Sequence, residues 1–185
     1  MNRSHAGVTA WGLAHVPIEP PFTILDVGCG GGQTIHTLAD RATDGKVFGI
    51  DYSAASVAAS RRTNAAAIAA GRVDIREGSV SRLPFSDGTF DLVTAIETHY
   101  YWPHLEADAR EILRVLKPGG RLAIIAESYK GRRFEMVYRL PMTLLHATYL
   151  TVDEHKALLS AAGYSEVTVF EERRKGWICA VGKKA

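Results

Sequence analysis

Cysteine is scarce in this 185-residue chain: Cys29 and Cys179 are the only two, far apart and without metal-ligand spacing. That excludes a disulfide framework and a cysteine-rich metal centre, and no metal ligand set is expected. Long apolar runs are missing too. Nothing approaches the roughly 18 consecutive apolar residues of a membrane span, and no apolar signal core opens the chain. Nor is there an excess of one charge: 22 Lys and Arg stand against 20 Asp and Glu, for a net charge of +2. Without a basic field, nucleic acid is not an expected partner. Repeats, low-complexity tracts and linkers are likewise absent. These absences leave a soluble, cytoplasmic protein, with its oligomeric state open.

What is present is ordinary globular material, 46% hydrophobic and 23% charged, at a length that suits a single domain over 1–185. Such a chain buries roughly 70% of its unfolded surface. β-type runs are expected near 22–27, 46–51, 73–77, 90–96, 121–127, 165–171 and 176–182, with helices near 32–41, 53–70, 103–116 and 152–162. Alternation of this kind predicts a parallel sheet covered on both faces. The last two strands are separated only by Glu172-Arg173-Arg174-Lys175, too short for a crossover helix, so they must form an antiparallel hairpin. The expected fold is therefore α/β, a Rossmann-like three-layer sandwich with a seven-stranded, mostly parallel sheet.

The most informative stretch is Ile24-Leu25-Asp26-Val27-Gly28-Cys29-Gly30-Gly31-Gly32. A strand breaks into a glycine turn and a helix follows. Glycines let the backbone turn sharply and let a ligand lie against bare main chain, while the helix start offers unpaired N–H groups. The dinucleotide fingerprint G-x-G-x-x-G fails here, because counting from Gly28 puts Gln33 where its third glycine belongs. The run Lys46–Ile50 ends in Asp51, about 20 residues past the turn, where a carboxylate at a strand end can accept both ribose hydroxyls. Asp51 could equally cap the helix that starts near Ser53.

Two further segments lie at compatible spacing. One is Gly78-Ser79-Val80 with Leu83-Pro84-Phe85 and Phe90-Asp91-Leu92-Val93; the other is Leu116-Lys117-Pro118-Gly119-Gly120. With D-x-G-x-G-x-G and Asp51, four motifs in this order resemble the class I S-adenosylmethionine-dependent methyltransferases, of the small-molecule, methyltransferase-11-like kind. The resemblance covers about residues 20–127. It implies S-adenosylmethionine as cofactor and methyl transfer to a small-molecule acceptor. It assigns cofactor contacts to Asp26, Gly28, Cys29, Gly30, Gly32, Asp51, Tyr52, Ser53, Ser79, Val80 and Glu97. Ser79 stands where the family carries an acid toward the adenine amino group, and a hydroxyl accepts that bond more weakly.

The fourth strand runs into Glu97-Thr98-His99-Tyr100-Tyr101-Trp102, the position that the resemblance places beside the sulfonium. Aromatic faces attract cations, although Tyr101 and Trp102 could as well pack beneath the next helix. His99, with a side chain that titrates near neutrality, is the candidate base. Glu97 and Tyr100 complete the candidate catalytic set, and Glu127 could orient an acceptor. Enzymes that methylate base amino groups share D/N-P-P-Y/F after this strand, which Glu97-Thr98-His99-Tyr100 does not match.

Residues 1–20 are expected to form a lid segment, with Trp11 either closing over the cofactor or anchoring by packing. Residues 128–150 are expected to form a helical cap, a dimer contact or a membrane-leaning piece. Two other functions stay open: a SAM- or nucleotide-binding module without catalysis, and an NAD-dependent oxidoreductase, which the missing third glycine disfavours.

Overall fold

The structure is a computed structural model that describes residues 5–130 and 148–185. Most of the expected 128–150 cap, and residues 1–4 of the lid, fall outside the described residues. Seven strands form one sheet: β1 (Thr23–Val27), β2 (Lys46–Asp51), β3 (Val73–Glu77), β4 (Phe90–Ile96), β5 (Leu116–Ala126), β6 (Ser165–Glu172) and β7 (Trp177–Lys183). Their order is β3-β2-β1-β4-β5-β7-β6. The pairs from β3 through to β5 are parallel, while β7 runs antiparallel to both β5 and β6. β6 and β7 form the hairpin that their short link requires.

The described helices are α1 (Ala6–Gly12), α2 (Gln33–Arg41), α3 (Ala54–Thr63), α4 (Ala65–Ala69), α5 (Leu105–Val115) and α6 (Val152–Ala161). The pleat sends alternate residues to opposite faces. Ile24, Leu92, Ala123 and Cys179 pack with Val8 of α1, Ile35 and Leu38 of α2 and Val57 of α3. Their neighbours Leu25, Val93, Ile124 and Ala180 pack with Ala109 and Ile112 of α5 and Leu159 of α6. The sheet therefore lies between two helical layers.

Two local departures from the sequence pattern have physical causes. The expected continuous helix over 53–70 breaks at Asn64, whose backbone leaves the helical region (φ −109°, ψ 20°). Its side-chain amide donates to the carbonyls of Gly32 and Ser60, so the break ties this helix to the glycine turn. At the Leu116–Gly120 turn, Leu116 pairs with Phe90 and the ladder resumes only at Arg121 with Leu92. Lys117–Gly120 thus form an excursion within β5, with Gly119 at φ +78°.

The N-terminal helix resolves the two readings of Trp11. Trp11 packs against Trp177 at 6.0 Å and meets His15 edge-on at 4.8 Å, and His15 in turn stacks on Phe170 at 4.1 Å. Trp11 is a packing anchor that seats α1 across β5 and β7. It lines neither of the cavities described below.

Candidate active site

Between β1 and β4 the strand order reverses, because the chain builds outward through β2 and β3 and then crosses back. A crevice opens at the carboxyl ends of the strands at such a switch point. Two cavities occupy it. The first, of about 570 Å³, is walled by Gly28, Gly30, Asp51, Ser79, Val80 and Tyr101, among others. The second, of about 520 Å³, is walled by His5, Asp26, Cys29, Gln33, Thr34 and Tyr100, among others. Gly28, Gly30, Glu97 and Tyr101 line both, so one ligand can run from one cavity into the other.

Asp51 is buried at the end of β2 and organises the floor. Its Oδ2 accepts the N–H of Gly30 at 2.9 Å and its Oδ1 accepts that of Ser53 at 2.9 Å. The cap of α3 is Ser53, whose hydroxyl accepts from Ser56. Asp51 is therefore not the helix cap. It is a carboxylate held in place by two backbone donors, with lone pairs left over at the cavity wall.

Three of the four glycines in the turn, those with positive φ, have different reasons. Gly30 has φ +50°, and a Cβ there would meet no described protein atom within 4 Å, so it would project into the open crevice. At Gly28 (φ +74°) a Cβ would lie 2.3 Å from the Thr98 hydroxyl, which locks the turn against the β4 exit. Gly32 (φ +81°) lies beneath α3, where a Cβ would come within 2.4 Å of the Ser60 hydroxyl and 2.6 Å of the Asn64 amide. Gly32 lines neither cavity. The contact expected of it is corrected to helix packing, because its close neighbours are α3 atoms.

Asp26 is wholly buried beneath the second cavity. Burial pushes its carboxyl up to about 7, the Thr94 hydroxyl at 2.7 Å pulls it back, and nearby Asp51 pushes it further up. A buried carboxyl in this condition favours a cationic neighbour. The Cys29 thiol, also buried, is pushed up to about 12 and behaves as a packed small group.

Glu97 leaves β4 in the left-handed region at φ +56°, an uncommon conformation for a residue with a side chain, and one that clusters at functional sites. Its carboxylate accepts from the Tyr100 hydroxyl and from the backbone N–H of Glu127. Burial raises the Glu97 carboxyl above its usual range, and burial likewise raises the Tyr100 phenol far above its own. Tyr101 stands 52% exposed at the junction of the cavities, edge-on to Tyr100 at 5.0 Å. Trp102 borders the first cavity while packing into the α5 side of the core. Tyr52 is 82% exposed at the mouth of the first cavity. The Ser79 hydroxyl accepts the N–H of Ser81, which leaves its proton to offer rather than a free acceptor alone.

His99 is not brought to either cavity. It is 1% exposed, and its Nε2 lies 3.2 Å from Nε2 of His155 on α6. Burial, and secondly His155, hold it well below its usual range. An acceptor in the cavities does not meet its ring, so the base expected from its position in the chain is corrected to an interior histidine. Sequence reasoning did not name residues that line the second cavity: His5, Ala6, Thr9 and Ala10, within the segment expected as a lid, and Thr34 and Thr37 on α2. The i, i+3 spacing of Thr34 and Thr37 after the glycine turn is a signal that could have found that pair. Among the described residues, no cluster of His, Cys, Asp and Glu could hold a metal ion, and no helix is long and apolar enough to cross a membrane.

A family model described as a methyltransferase domain matches residues 25–124, more than half of the chain. A demethylmenaquinone methyltransferase of Symbiobacterium thermophilum is 37% identical over 123 residues, which are 66% of this chain and 49% of the relative. The chain spans about half the length of this relative and of a demethylmenaquinone methyltransferase from Lactiplantibacillus plantarum. Among solved structures, a SAM-dependent methyltransferase from Aquifex aeolicus superimposes with a TM-score of 0.78 at 21% identity, over 96% of this chain and 89% of that one. Geranyl diphosphate C-methyltransferase from Streptomyces coelicolor, in complex with Mg2+, geranyl diphosphate and S-adenosyl-L-homocysteine, gives 0.82 at 17% identity, over 100% of this chain and 82% of that one. At these identities the structural likeness speaks for the fold.

Proposed function

The chain belongs to the methyltransferase domain family, and from that premise we propose that it moves a methyl group from S-adenosylmethionine to a small-molecule acceptor. The observation that carries this reading is the pair of cavities joined at Gly28, Gly30, Glu97 and Tyr101 over the Asp51–Gly30 contact. S-adenosylmethionine is a nucleoside and an amino acid joined through a sulfonium, which suits two chambers with a waist. The cradle at Gly30, where only a ligand would meet a side chain, fits the same group.

In this reading the first cavity takes the nucleoside. Asp51, held by Gly30 and Ser53, offers its remaining lone pairs to the ribose hydroxyls. Ser79 and Val80 face the base. The second cavity takes the amino-acid half, with the Asp26 carboxyl toward its ammonium and the start of α2 toward its carboxylate. When bound, the cofactor supplies an electrophilic methyl group at the waist. There the face of Tyr101 can meet positive charge, worth ~0.5–2 kcal/mol. Glu97 and Tyr100, bonded to each other, orient what enters from the α1 side. His99 has no part in proton transfer, because its ring faces His155 instead of the cavities. Displacement at a methyl carbon rests mainly on positioning, which can supply up to ~7–11 kcal/mol.

A small-molecule acceptor is favoured by the lack of a basic field. A cytoplasmic setting is favoured by two cysteines that are free and buried, as in reducing compartments. The test is a screen of a metabolite library with methyl-labelled S-adenosylmethionine. The reading expects label in at least one small molecule. Cofactor binding without transfer to any acceptor would instead favour a non-catalytic binding module.

A further inference from the structure

His155 lies at the end of the first turn of α6, far along the chain from the cavities, yet it is 0% exposed and its Nε2 faces His99 Nε2 at 3.2 Å. The protons of this pair can be placed. His155 Nδ1 lies 2.7 Å from the Thr151 carbonyl, which can only accept, so Nδ1 carries the hydrogen. In the neutral ring, His155 Nε2 is then an acceptor, and His99 Nε2 must be the donor. His99 Nδ1 is left bare and has no hydrogen-bond partner among the described residues. The arrangement is directional: Thr151 fixes His155, and His155 fixes His99. Thr151 is itself held by a reciprocal capping box with Glu154, so the start of α6 is a rigid support.

His99 opens the 3-10 turn His99–Tyr101 that carries the wall shared by the two cavities. Thr98 before it packs onto Gly28, and Tyr101 and Trp102 after it line the first cavity. The same turn is gripped a second time from the α6 side of the chain, where the N–H of Thr148 donates to the Tyr100 carbonyl at 2.9 Å.

We infer that His155 is a positioning residue for the cofactor site: by accepting the His99 Nε2 proton it sets the orientation of the Thr98–Trp102 turn and, through it, the waist where the cavities meet. The inference rests on the cavities being the S-adenosylmethionine site. A buried neutral histidine used this way needs its ring nitrogens in one fixed protonation pattern, since the opposite tautomer would set two donors or two bare nitrogens face to face. Packing alone would not need that pattern.

The experiment measures S-adenosylhomocysteine binding by calorimetry in the wild type, His155→Phe and His155→Gln, with circular dichroism as the fold control. Phe fills the site without an acceptor, whereas the Gln amide oxygen can reach the place of Nε2. His155→Phe is expected to weaken binding by about tenfold, in line with the sensitivity of a site to displacement of its wall by a fraction of an ångström. His155→Gln should recover most of that loss. Unchanged affinity in a folded His155→Phe, or a Gln variant as weak as Phe, overturns the inference. If His155→Phe does not fold, the imidazole 15N spectrum of the wild type decides. His99 should be protonated at Nε2 and His155 at Nδ1, with the His99 signals shifting when S-adenosylhomocysteine is added. The opposite tautomers, or no shift on binding, overturn the inference. A wild type that does not bind S-adenosylhomocysteine overturns the reading of the site itself and the inference with it.

Discussion

Asp51 Oδ2 accepts the N–H of Gly30 at 2.9 Å, joining the end of β2 to the middle of the glycine turn that leaves β1. One carboxylate thus shapes the turn and lines the first cavity. Asp51→Ala should therefore have two effects. S-adenosylhomocysteine affinity should fall by at least about tenfold, as charge-assisted bonds of ~1.5–3 kcal/mol are lost. Folding stability should fall by about 1–3 kcal/mol, because the N–H groups of Gly30 and Ser53 lose their partner. Calorimetry and denaturant unfolding check the two separately. A variant that binds like the wild type would show that the ribose lies elsewhere.

Gly30 and Gly32, two residues apart, should respond in opposite ways. Gly30→Val places its side chain in open space at φ +50°, so the fold should lose only the backbone strain, about 1–2 kcal/mol, while cofactor binding is abolished. Gly32→Ala drives a methyl into Ser60 and Asn64, so it should destabilise by about 1–3 kcal/mol and lower affinity less. Thermal unfolding and calorimetry on both variants separate ligand approach from helix packing. Equal loss of binding with equal stability would refute the distinction.

Asp26 and the histidine pair set opposite pH trends. Burial raises Asp26 from 3.8 to about 7, so between those values the native carboxyl holds a proton that the unfolded one has released. Its contribution makes the ligand-free protein less stable as pH rises through that window. His99 and His155 are lowered by burial, so below pH ~6.5 the unfolded rings take up protons that the native ones refuse. Their contribution makes the protein less stable as pH falls. Asp26→Asn should remove the Asp26 share of the first trend, so stability should fall less with rising pH than in the wild type; the raised Glu97 carboxyl keeps a share of its own. In the wild type, cofactor binding should release a proton near neutrality, as the ammonium favours the ionised carboxylate. Calorimetry in buffers of different ionisation enthalpy reads that proton, and its persistence in Asp26→Asn would contradict the assignment.

The Arg114 side chain donates to the carbonyls of Leu83 and Phe85, and Glu111, which it bridges, accepts the Leu83 N–H. Arg114 holds the Glu111 carboxyl below its usual range. Arg114→Ala should loosen the segment after Ser79–Val80 and weaken S-adenosylhomocysteine by several-fold, with a stability loss of about 1–2 kcal/mol. Calorimetry checks the binding and chemical unfolding the stability.

The succession of strands and helices, the glycine turn and the place of Asp51 at the end of β2 were legible because each is written in local sequence: a β-type run, a change of period, an acid at a strand end. What was not legible depends on partners distant in the chain. The alanine-rich run through Asn64 reads as one helix, and only the Gly32 carbonyl explains the break. Gly32 looks like its two neighbours until Ser60 and Asn64 are placed beside it. His99 reads as a base from its position after β4, yet His155 on α6 turns its ring inward. The α1 residues that line the second cavity carry no motif and reach it because Val8 in the core and Trp11 against Trp177 seat their helix on the sheet.

The most direct measurement of the central claim is calorimetric titration of the wild type with S-adenosylhomocysteine and, separately, with NAD. The two cavities joined over Asp51 and Gly30 predict saturable binding of S-adenosylhomocysteine and no heat from NAD. Saturable binding of NAD with no heat from S-adenosylhomocysteine would contradict the account.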